Sequence, residues 1–269
     1  LVMAMAFRLG MRRMEILGLR LDDVQVRKRM VCLVRPHAGR RLKTTNSKRL
    51  IPIDAFFDWR ERRLLKEWVA HRQSEEARDH LPAGSVRSQF LFARVNGKKA
   101  RERISANCVV DRICKALRAV TKDSRIFLHH LRHAFGTWTY LRLRAPDYPM
   151  VANLFTHLPD TAKAICQGKR LRLQLLGVRK GPSRTYAYAV ARLLGHSSPQ
   201  VSMGHYVHSG DVILAAITHR EIAQVRCAEL TTASGLRAAT AYRHLEVSAH
   251  QLVVAARKPP RVRIVVAPI

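Results

Sequence analysis

The stretch Leu128-His129-His130-Leu131-Arg132-His133-Ala134-Phe135-Gly136-Thr137 places an arginine among three histidines. Its spacing predicts a helix that continues to the end of the stretch. Residues three and four positions apart share one face of a helix, so His129, Arg132 and His133 point in one direction. His129 and His133 have the spacing of two zinc ligands, but no Glu follows the first His and no Cys or carboxylate cluster offers a third ligand. We therefore expect no metal site here.

Two stretches upstream carry further candidate residues. Gly10-Met11-Arg12-Arg13-Met14-Glu15-Ile16-Leu17 places Arg12 and Glu15 three apart on one predicted helical face, where the carboxylate can steady the guanidinium. Alone, this is a common surface pair. Lys43-Thr44-Thr45-Asn46-Ser47-Lys48-Arg49 lies in a basic loop between two β-rich runs, residues 30–34 and 50–53. A mobile ammonium there could reach a ligand, although most loop charges are simply solvated.

Downstream, Leu194-Gly195-His196-Ser197-Ser198-Pro199-Gln200 is followed by Tyr206-Val207-His208. Ser198 before Pro199 predicts a helix start, with the serine hydroxyl as the N-cap and the proline at the first helical position. His196 then lies just before a helix N-terminus, where a phosphate group could bind. Tyr206 taken alone is most simply a core or interface residue.

Hydrophobic periodicity predicts a mainly α fold with a small antiparallel β-sheet, in the α+β class. Helical spacing recurs over residues 11–21, 56–72 and 104–120, and the two β-rich runs predict a hairpin with a long loop. Residues 140–188 contain four prolines and little periodicity. We therefore expect an insertion there, built around one or two short helices.

The charge of the chain indicates a polyanionic partner. Lys and Arg number 49 against 19 Asp and Glu, a formal net charge of +30, and most of these cations are arginines, whose planar fork matches phosphate oxygens. The segment between Asp160 and Asp211 has no acid and carries Lys163, Lys169, Arg170, Arg172, Arg179, Lys180, Arg184 and Arg192. Because the charge is spread along the chain, it favours nucleic acid over a membrane surface.

Two features of the sequence argue against a membrane or secreted protein and against a disulfide-bonded or zinc-binding one. No window approaches the roughly 18 consecutive apolar residues of a membrane span, and the first residues show no signal-peptide pattern. We therefore expect no membrane association and a cytoplasmic location. The five cysteines are odd in number and lack C-x-x-C spacing, which argues against a disulfide framework and a zinc knuckle.

Taken together, these stretches resemble the tyrosine recombinases, also called phage integrases. The family's motifs occur in their usual order, namely Arg12 with Glu15, Lys43 in a β-hairpin, H-x-L-R-H at 129–133, L-G-H at 194–196 and the Tyr206-x-His208 pair. The resemblance spans about residues 5–210 and implies a catalytic domain over residues 1–210. It also implies a bacterial or phage protein of the nucleoid that recombines double-stranded DNA, as a homo-tetramer and without a cofactor.

The resemblance also implies a mechanism and its residues. In this family a tyrosine oxygen attacks the scissile phosphodiester, giving a 3′-phosphotyrosyl link and a free 5′-hydroxyl. Tyr206 would be this nucleophile. The catalytic residues that the resemblance implies are Tyr206, Arg12, Arg132, His196, Lys43 and His129, with Glu15 and His133 in support.

The chemistry suits these residue types. The guanidiniums of Arg12 and Arg132, joined by His196, would stabilise negative charge on the non-bridging oxygens of the transition state. His129 would accept the tyrosine proton or position the phosphate. Lys43 would protonate the leaving 5′-oxygen, with Lys48 as the alternative acid.

The sequence departs from the family pattern in several places. We expect the chain to lack the amino-terminal core-binding domain and the start of the first catalytic-domain helix. Residues 140–188 form a longer link than usual, His130 stands where Asp is frequent, and Val201-Ser202 replaces a Thr pair. None of these changes removes a reacting group.

The C-terminal part predicts a second module that contacts DNA. Residues 211–250 are predicted to be helical and include a helix-turn-helix-like segment, in which Arg237, Thr240 and Arg243 face the groove. A plain helical hairpin, or a tail exchanged between protomers, explains the same pattern. Residues 251–269 form a basic tail, and Lys48 is a further candidate for DNA binding.

The alternatives to a recombinase are a type IB topoisomerase-like enzyme and a non-catalytic DNA-binding remnant or repressor.

Overall fold

The computed structural model describes residues 1–37, 40–42, 44, 47–78, 89–95, 101–207 and 213. The predicted helix-turn-helix-like segment and the basic tail lie outside these residues. Lys43 and His208 lie outside them as well.

Helices make up most of the described chain. Within that part, the α-helices are α1 (Val2–Arg8), α2 (Arg13–Leu17), α3 (Trp59–Arg78), α4 (Ala106–Thr121), α5 (Leu128–Arg144), α6 (Pro159–Cys166), α7 (Gly168–Leu176), α8 (Ser183–Leu194) and α9 (Pro199–His205). Short 3-10 helices cover Leu21–Asp23, Ile53–Ala55, Ala145–Asp147 and Pro149–Phe155. None of the described helices combines the length and the apolar character needed to cross a bilayer.

The strands form two small antiparallel sheets. The first has the order β1 (Val24–Gln25), β2 (Val31–Val34) and β3 (Arg49–Pro52), and Val34 pairs with Arg49 at the end of the hairpin. The second sheet pairs β4 (Ala93–Val95) with β5 (Arg101–Arg103). The predicted fold class and the predicted hairpin are confirmed, whereas β1 and the second sheet were not predicted.

The predicted helix over residues 11–21 is wrong, because α2 covers only Arg13–Leu17 and ends at Gly18. The chain also turns just before this stretch, at Gly10. α1 ends at Arg8, Gly10 adopts a left-handed φ of +61°, and α2 begins only at Arg13. A Cβ at Gly10 would overlap the ring of Phe135 on α5. Glycine therefore allows both the backbone conformation and the close approach of the two segments.

Helix α5 is the centre of the packing. Its apolar residues Leu128, Leu131, Phe135 and Leu143 are buried in the main core, and α1, α7 and α8 pack against it. The first half of α5 carries the H-x-L-R-H motif. The helices that pack on α5 therefore determine the surroundings of that motif.

The region after α5 folds back onto that helix. It consists of the 3-10 helices Ala145–Asp147 and Pro149–Phe155, followed by the α-helices α6 and α7. A second apolar cluster, which includes Leu141, Val151 and Ile165, anchors this region. Arg172 was expected on a DNA-facing surface, and this is wrong because its side chain is buried. Its Nε donates to the Leu143 carbonyl at 2.7 Å, and its Nη2 lies 2.7 Å from a carboxylate oxygen of Asp147.

Candidate active site

Arg132 is fully buried at the N-terminal half of α5. Its Nη1 donates to the carbonyl of Gly10, and its Nη2 donates to the carbonyl of Leu194. The guanidinium thereby joins the turn before α2 to the end of α8. Burial and the charge of Arg12 lower the pKa of Arg132 to about 9, which still leaves the group charged at neutral pH.

His196 follows α8 and lies against Arg132. Its Nε2 is 3.2 Å from Nη2 of Arg132, and its Nδ1 is 2.8 Å from Oγ of Ser202. A guanidinium can only donate, so Nε2 accepts and Nδ1 carries the proton that is donated to Ser202. Burial, together with the charges of Arg132 and Arg12, lowers the pKa of His196 to about 4. The ring is therefore neutral at pH 7.

The turn between α8 and α9 fixes the position of His196. Gly195 ends α8 with a left-handed φ of +69°, as is common at helix C-termini. The predicted start of α9 at Ser198-Pro199 is confirmed, but the Ser198 side chain makes no capping hydrogen bond. Ser202, which is fully buried on α9, instead holds the His196 ring.

Tyr206 directly follows α9 and packs among the histidines of α5. Its hydroxyl is 3.3 Å from Nε2 of His129, and its ring stacks on that of His133 with the centroids 4.4 Å apart. The guanidinium carbon of Arg132 is 5.4 Å from the Tyr206 ring centroid, and the His196 ring is 4.6 Å from it. Four of the predicted residues therefore surround the phenol.

His129 is a neutral ring beside the Tyr206 hydroxyl. Burial and the neighbouring His133 and Arg132 lower its pKa to about 4. The ring is neutral at pH 7 and retains a lone pair. Nε2 is the ring nitrogen that lies nearest to the Tyr206 hydroxyl, and in the tautomer that carries its proton on Nδ1 it accepts a hydrogen bond from that hydroxyl.

Arg12 lies just before α2 and pairs with Glu15 as predicted. Its Nη1 donates to Oε1 of Glu15 at 2.9 Å and to Oγ of Ser47 at 3.3 Å, and its backbone N–H donates to Oε2 of Glu15 at 2.8 Å. The side chain of Arg12 is 21% exposed. Its charge acts on the pKa of Arg132, His129 and His196, which places it in the same site.

Arg49 is a buried arginine of this site that sequence reasoning missed. Its Nη1 and Nη2 donate to the two carboxylate oxygens of Glu15 at 3.0 and 2.7 Å. Burial alone would raise the pKa of Glu15, but the hydrogen bonds and charge of Arg49 outweigh it and lower the pKa to about 2. The signal in the sequence was the alternation of β3, in which Arg49 and Ile51 share the inward face.

Lys48 is the one remaining predicted site residue in the part of the chain that the structure describes. Lys48 is exposed beside the hairpin. Lys43 and the groove-facing candidates Arg237, Thr240 and Arg243 lie outside the described residues. The described residues contain no group of three or more His, Cys, Asp or Glu side chains that could hold a metal ion.

An open cleft of about 610 Å³ lies over part of the site. Arg12, Glu15 and His129 line it, together with apolar residues that include Leu42 and Phe127. Three arginines, Arg12, Arg49 and Arg132, face the carboxylate of Glu15, and the neighbouring His129 and His196 are neutral. The site therefore carries an excess of positive charge, which suits a phosphodiester anion.

Comparison with known proteins identifies a matching family and a similar solved structure. The family model of the phage integrase family matches residues 1–157, a region that includes Arg12, Glu15, His129 and Arg132 and ends before His196 and Tyr206. The crystal structure of the XerA recombinase is similar, with 16% sequence identity and a TM-score of 0.41 over 83% of this chain and 57% of that one. The chain thus spans little more than half the length of that recombinase chain. No curated protein matches the sequence.

Proposed function

The chain belongs to the phage integrase family, and from that premise we propose that it cuts and rejoins DNA strands as a tyrosine-type site-specific recombinase. Residues 1–210 would form the catalytic domain. The observation that carries the proposal is the position of Tyr206, whose hydroxyl lies 3.3 Å from a neutral His129 while its ring lies over Arg132.

In the proposed reaction, Oη of Tyr206 attacks the scissile phosphorus. His129 takes the phenol proton, a P–O bond to Tyr206 forms, and the bond from phosphorus to the 5′-oxygen breaks. The product is a 3′-phosphotyrosyl link and a 5′-hydroxyl. Attack by another strand's 5′-hydroxyl reverses these steps and joins the new strand.

Arg12 and Arg132 would stabilise the negative charge on the non-bridging oxygens. Arg12 is partly exposed and lines the cleft. Arg132 is buried and keeps its Nε without a hydrogen-bond partner among the described residues. A buried unpaired donor is costly, and a phosphate oxygen would satisfy it.

His196 would act on Arg132 rather than on the phosphate in this arrangement. Its Nε2 accepts from Arg132, and its Nδ1 donates to Ser202. Both ring nitrogens are therefore occupied. The serine that departs from the family's Thr pair supplies the hydrogen bond that orients this ring.

The leaving 5′-oxygen needs a proton. We assign this role to Lys43 in the loop between β2 and β3, with Lys48 as the alternative acid. The loop closes a hairpin whose strand β3 contributes Arg49 to the site. A flexible ammonium on this loop would be able to follow the departing oxygen.

Double-stranded DNA is the proposed partner. The cations of the acid-free segment that the structure leaves exposed are Lys163, Lys169, Arg170, Arg179, Lys180, Arg184 and Arg192. Exposed Lys and Arg side chains in a segment that contains no acidic residue suit a phosphate backbone. The proposal includes DNA reading by Arg237, Thr240 and Arg243, assembly as a homo-tetramer on DNA, and association with the nucleoid in the cytoplasm.

A pool of nicked suicide duplexes of randomised sequence tests the proposal. The wild-type protein should form a covalent DNA adduct that survives a denaturing gel, and Tyr206→Phe should bind DNA without forming it. DNA binding without any adduct would instead identify a non-catalytic DNA-binding protein. Relaxation of supercoiled plasmid at every sequence would identify a topoisomerase.

A further inference from the structure

Arg12 depends on one carboxylate for its position. Glu15 accepts hydrogen bonds from both the guanidinium and the backbone N–H of Arg12, at 2.9 and 2.8 Å. The other described contact of the guanidinium is the longer one to Ser47, at 3.3 Å. The orientation of Arg12 therefore follows the orientation of the Glu15 side chain.

Glu15 is in turn held by Arg49. The two form a bidentate pair in which each carboxylate oxygen accepts from a different nitrogen of the guanidinium, at 3.0 and 2.7 Å. Their side chains are only 4% and 6% exposed. A bidentate pair fixes the plane of the carboxylate as well as its distance. Arg12, which is more exposed and uses one guanidinium nitrogen, cannot impose that plane.

The remaining donors of Arg49 anchor it to two other segments of the site. Nε donates to the Leu193 carbonyl at 2.7 Å, and Nη1 also donates to the Ser47 carbonyl at 2.9 Å. Leu193 precedes Leu194, whose carbonyl accepts from Arg132. Arg49 thus connects the α2 side of the site, which carries Arg12, to the end of α8, which accepts a hydrogen bond from Arg132.

The backbone around Arg49 is fitted closely to its guanidinium. A Cβ at Gly195 would lie 2.9 Å from Nη1 of Arg49, and Gly195 also has a left-handed φ. The L-G-H turn therefore leaves space for the Arg49 side chain as well as turning the chain toward His196.

We propose that Arg49 is a positioning residue for strand cleavage, which does not touch the phosphate but orients Glu15 and through it Arg12. This inference rests on the function proposed above. The proposed role of Arg49 differs from a purely structural one because Arg49 affects the reaction through the charge and the plane of the Glu15 carboxylate.

Substitution of Arg49 should make the cleavage rate sensitive to acid. Burial favours the neutral form of Glu15. The charges that act on its carboxylate are Arg49, Arg132, Arg12 and, more weakly, Arg40, with the neutral His196 ring and Cys32 thiol nearby. Removal of Arg49 takes away the largest opposing effect, so the pKa of Glu15 rises from about 2. A protonated Glu15 no longer attracts Arg12, so cleavage falls as the pH is lowered.

Single-turnover cleavage of a suicide duplex at saturating protein tests this role between pH 5 and 8. Arg49→Gln should cleave at least about tenfold more slowly than wild type at pH 7.5, because a small misplacement of a catalytic group can cost up to about 100-fold. The loss should grow toward pH 5 in the variant only, and DNA affinity should change by less than about twofold. Glu15→Gln combined with Arg49→Gln should be no slower than Glu15→Gln alone.

Arg40→Gln is the matched control. Arg40 is as buried as Arg49 and donates to the backbone carbonyl of Glu15 at 2.9 Å and to Asp23 at 3.2 Å, but it does not bind the Glu15 carboxylate. Arg40→Gln should lower the thermal stability without slowing cleavage or adding an acid limb. If Arg49→Gln does not fold, Arg49→Lys serves in its place, since it keeps the charge but loses the bidentate geometry and should also slow cleavage.

Two results would overturn the inference. The first is an Arg49 variant that cleaves at the wild-type rate across the pH range. The second is an Arg40 variant that slows cleavage as much as the Arg49 variant does. If the wild-type protein forms the adduct and either result is obtained, only the role of Arg49 is refuted. If the wild-type protein forms no adduct, the proposed function is refuted as well.

Discussion

Replacement of Arg132 by lysine should destabilise the fold as well as slow cleavage. Arg132 is completely buried, and its guanidinium satisfies two carbonyls on different segments together with Nε2 of His196. A lysine presents its donors from one point, so it cannot reach the Gly10 and Leu194 carbonyls as the two guanidinium nitrogens do.

The expected loss of stability follows from the acceptors that are left without a donor. Each buried unsatisfied acceptor costs about 1–3 kcal/mol, and two of them make a loss of about 2–6 kcal/mol. In a protein of this size, a fall in Tm of about 2–4 °C accompanies each kcal/mol. The variant should therefore melt at least about 4 °C below the wild type.

Thermal unfolding followed by circular dichroism measures this effect. Arg63→Lys is the control, because Arg63 is exposed on α3 and its ion pair with Glu67 is a surface pair that contributes little to stability. A Tm for Arg132→Lys as close to wild type as that of the control would refute the structural reasoning. In the folded fraction, cleavage should fall roughly 100-fold or more while DNA affinity changes little.

Three further changes have defined outcomes. Gly195→Ala should lower the urea midpoint, since alanine at φ +69° costs about 1 kcal/mol or more, and an unchanged midpoint would contradict the close packing. The pKa values of His129 and His196 lie near 4, below the unfolded value of about 6.5. Their contribution to stability is therefore complete above about pH 6.5 and is lost as the pH falls. The urea midpoint should be lower at pH 5 than at pH 7.5. A higher midpoint at pH 5 would be inconsistent with neutral histidines. Replacing exposed Arg184 and Arg192 together by glutamine should reduce the slope of log affinity against log salt by about 1–2, and an equal slope would remove α8 from the DNA interface.

Much of the helical architecture and the hairpin followed from periodicity alone. The H-x-L-R-H stretch starts a helix as predicted, because its apolar residues repeat every three to four positions and pack into the core. The break at Gly10 could not be predicted in this way. Gly10 lies just before the stretch of helical spacing, and the close approach of Phe135, which leaves no room for a Cβ at Gly10, comes from a helix distant in the sequence.

The site was only partly predictable for a related reason. Arg49 is 9% exposed while its neighbour Leu50 is 58% exposed, the reverse of what hydrophobicity indicates. The partners that make a buried Arg49 favourable, Glu15 and the Leu193 carbonyl, come from elements far away in the sequence. Arg172 was misplaced for the same reason, since its partner Asp147 belongs to a different helix.

The most direct measurement of the central claim is the identity of the amino acid that becomes linked to DNA. The adduct would be digested with nuclease and protease, and the modified peptide sequenced by mass spectrometry. We expect a phosphotyrosyl group at Tyr206 only, in a peptide that also contains His205. A link at Tyr188, at any other side chain, or to a 5′-phosphate would contradict the assignment of the phenol beside His129 as the nucleophile.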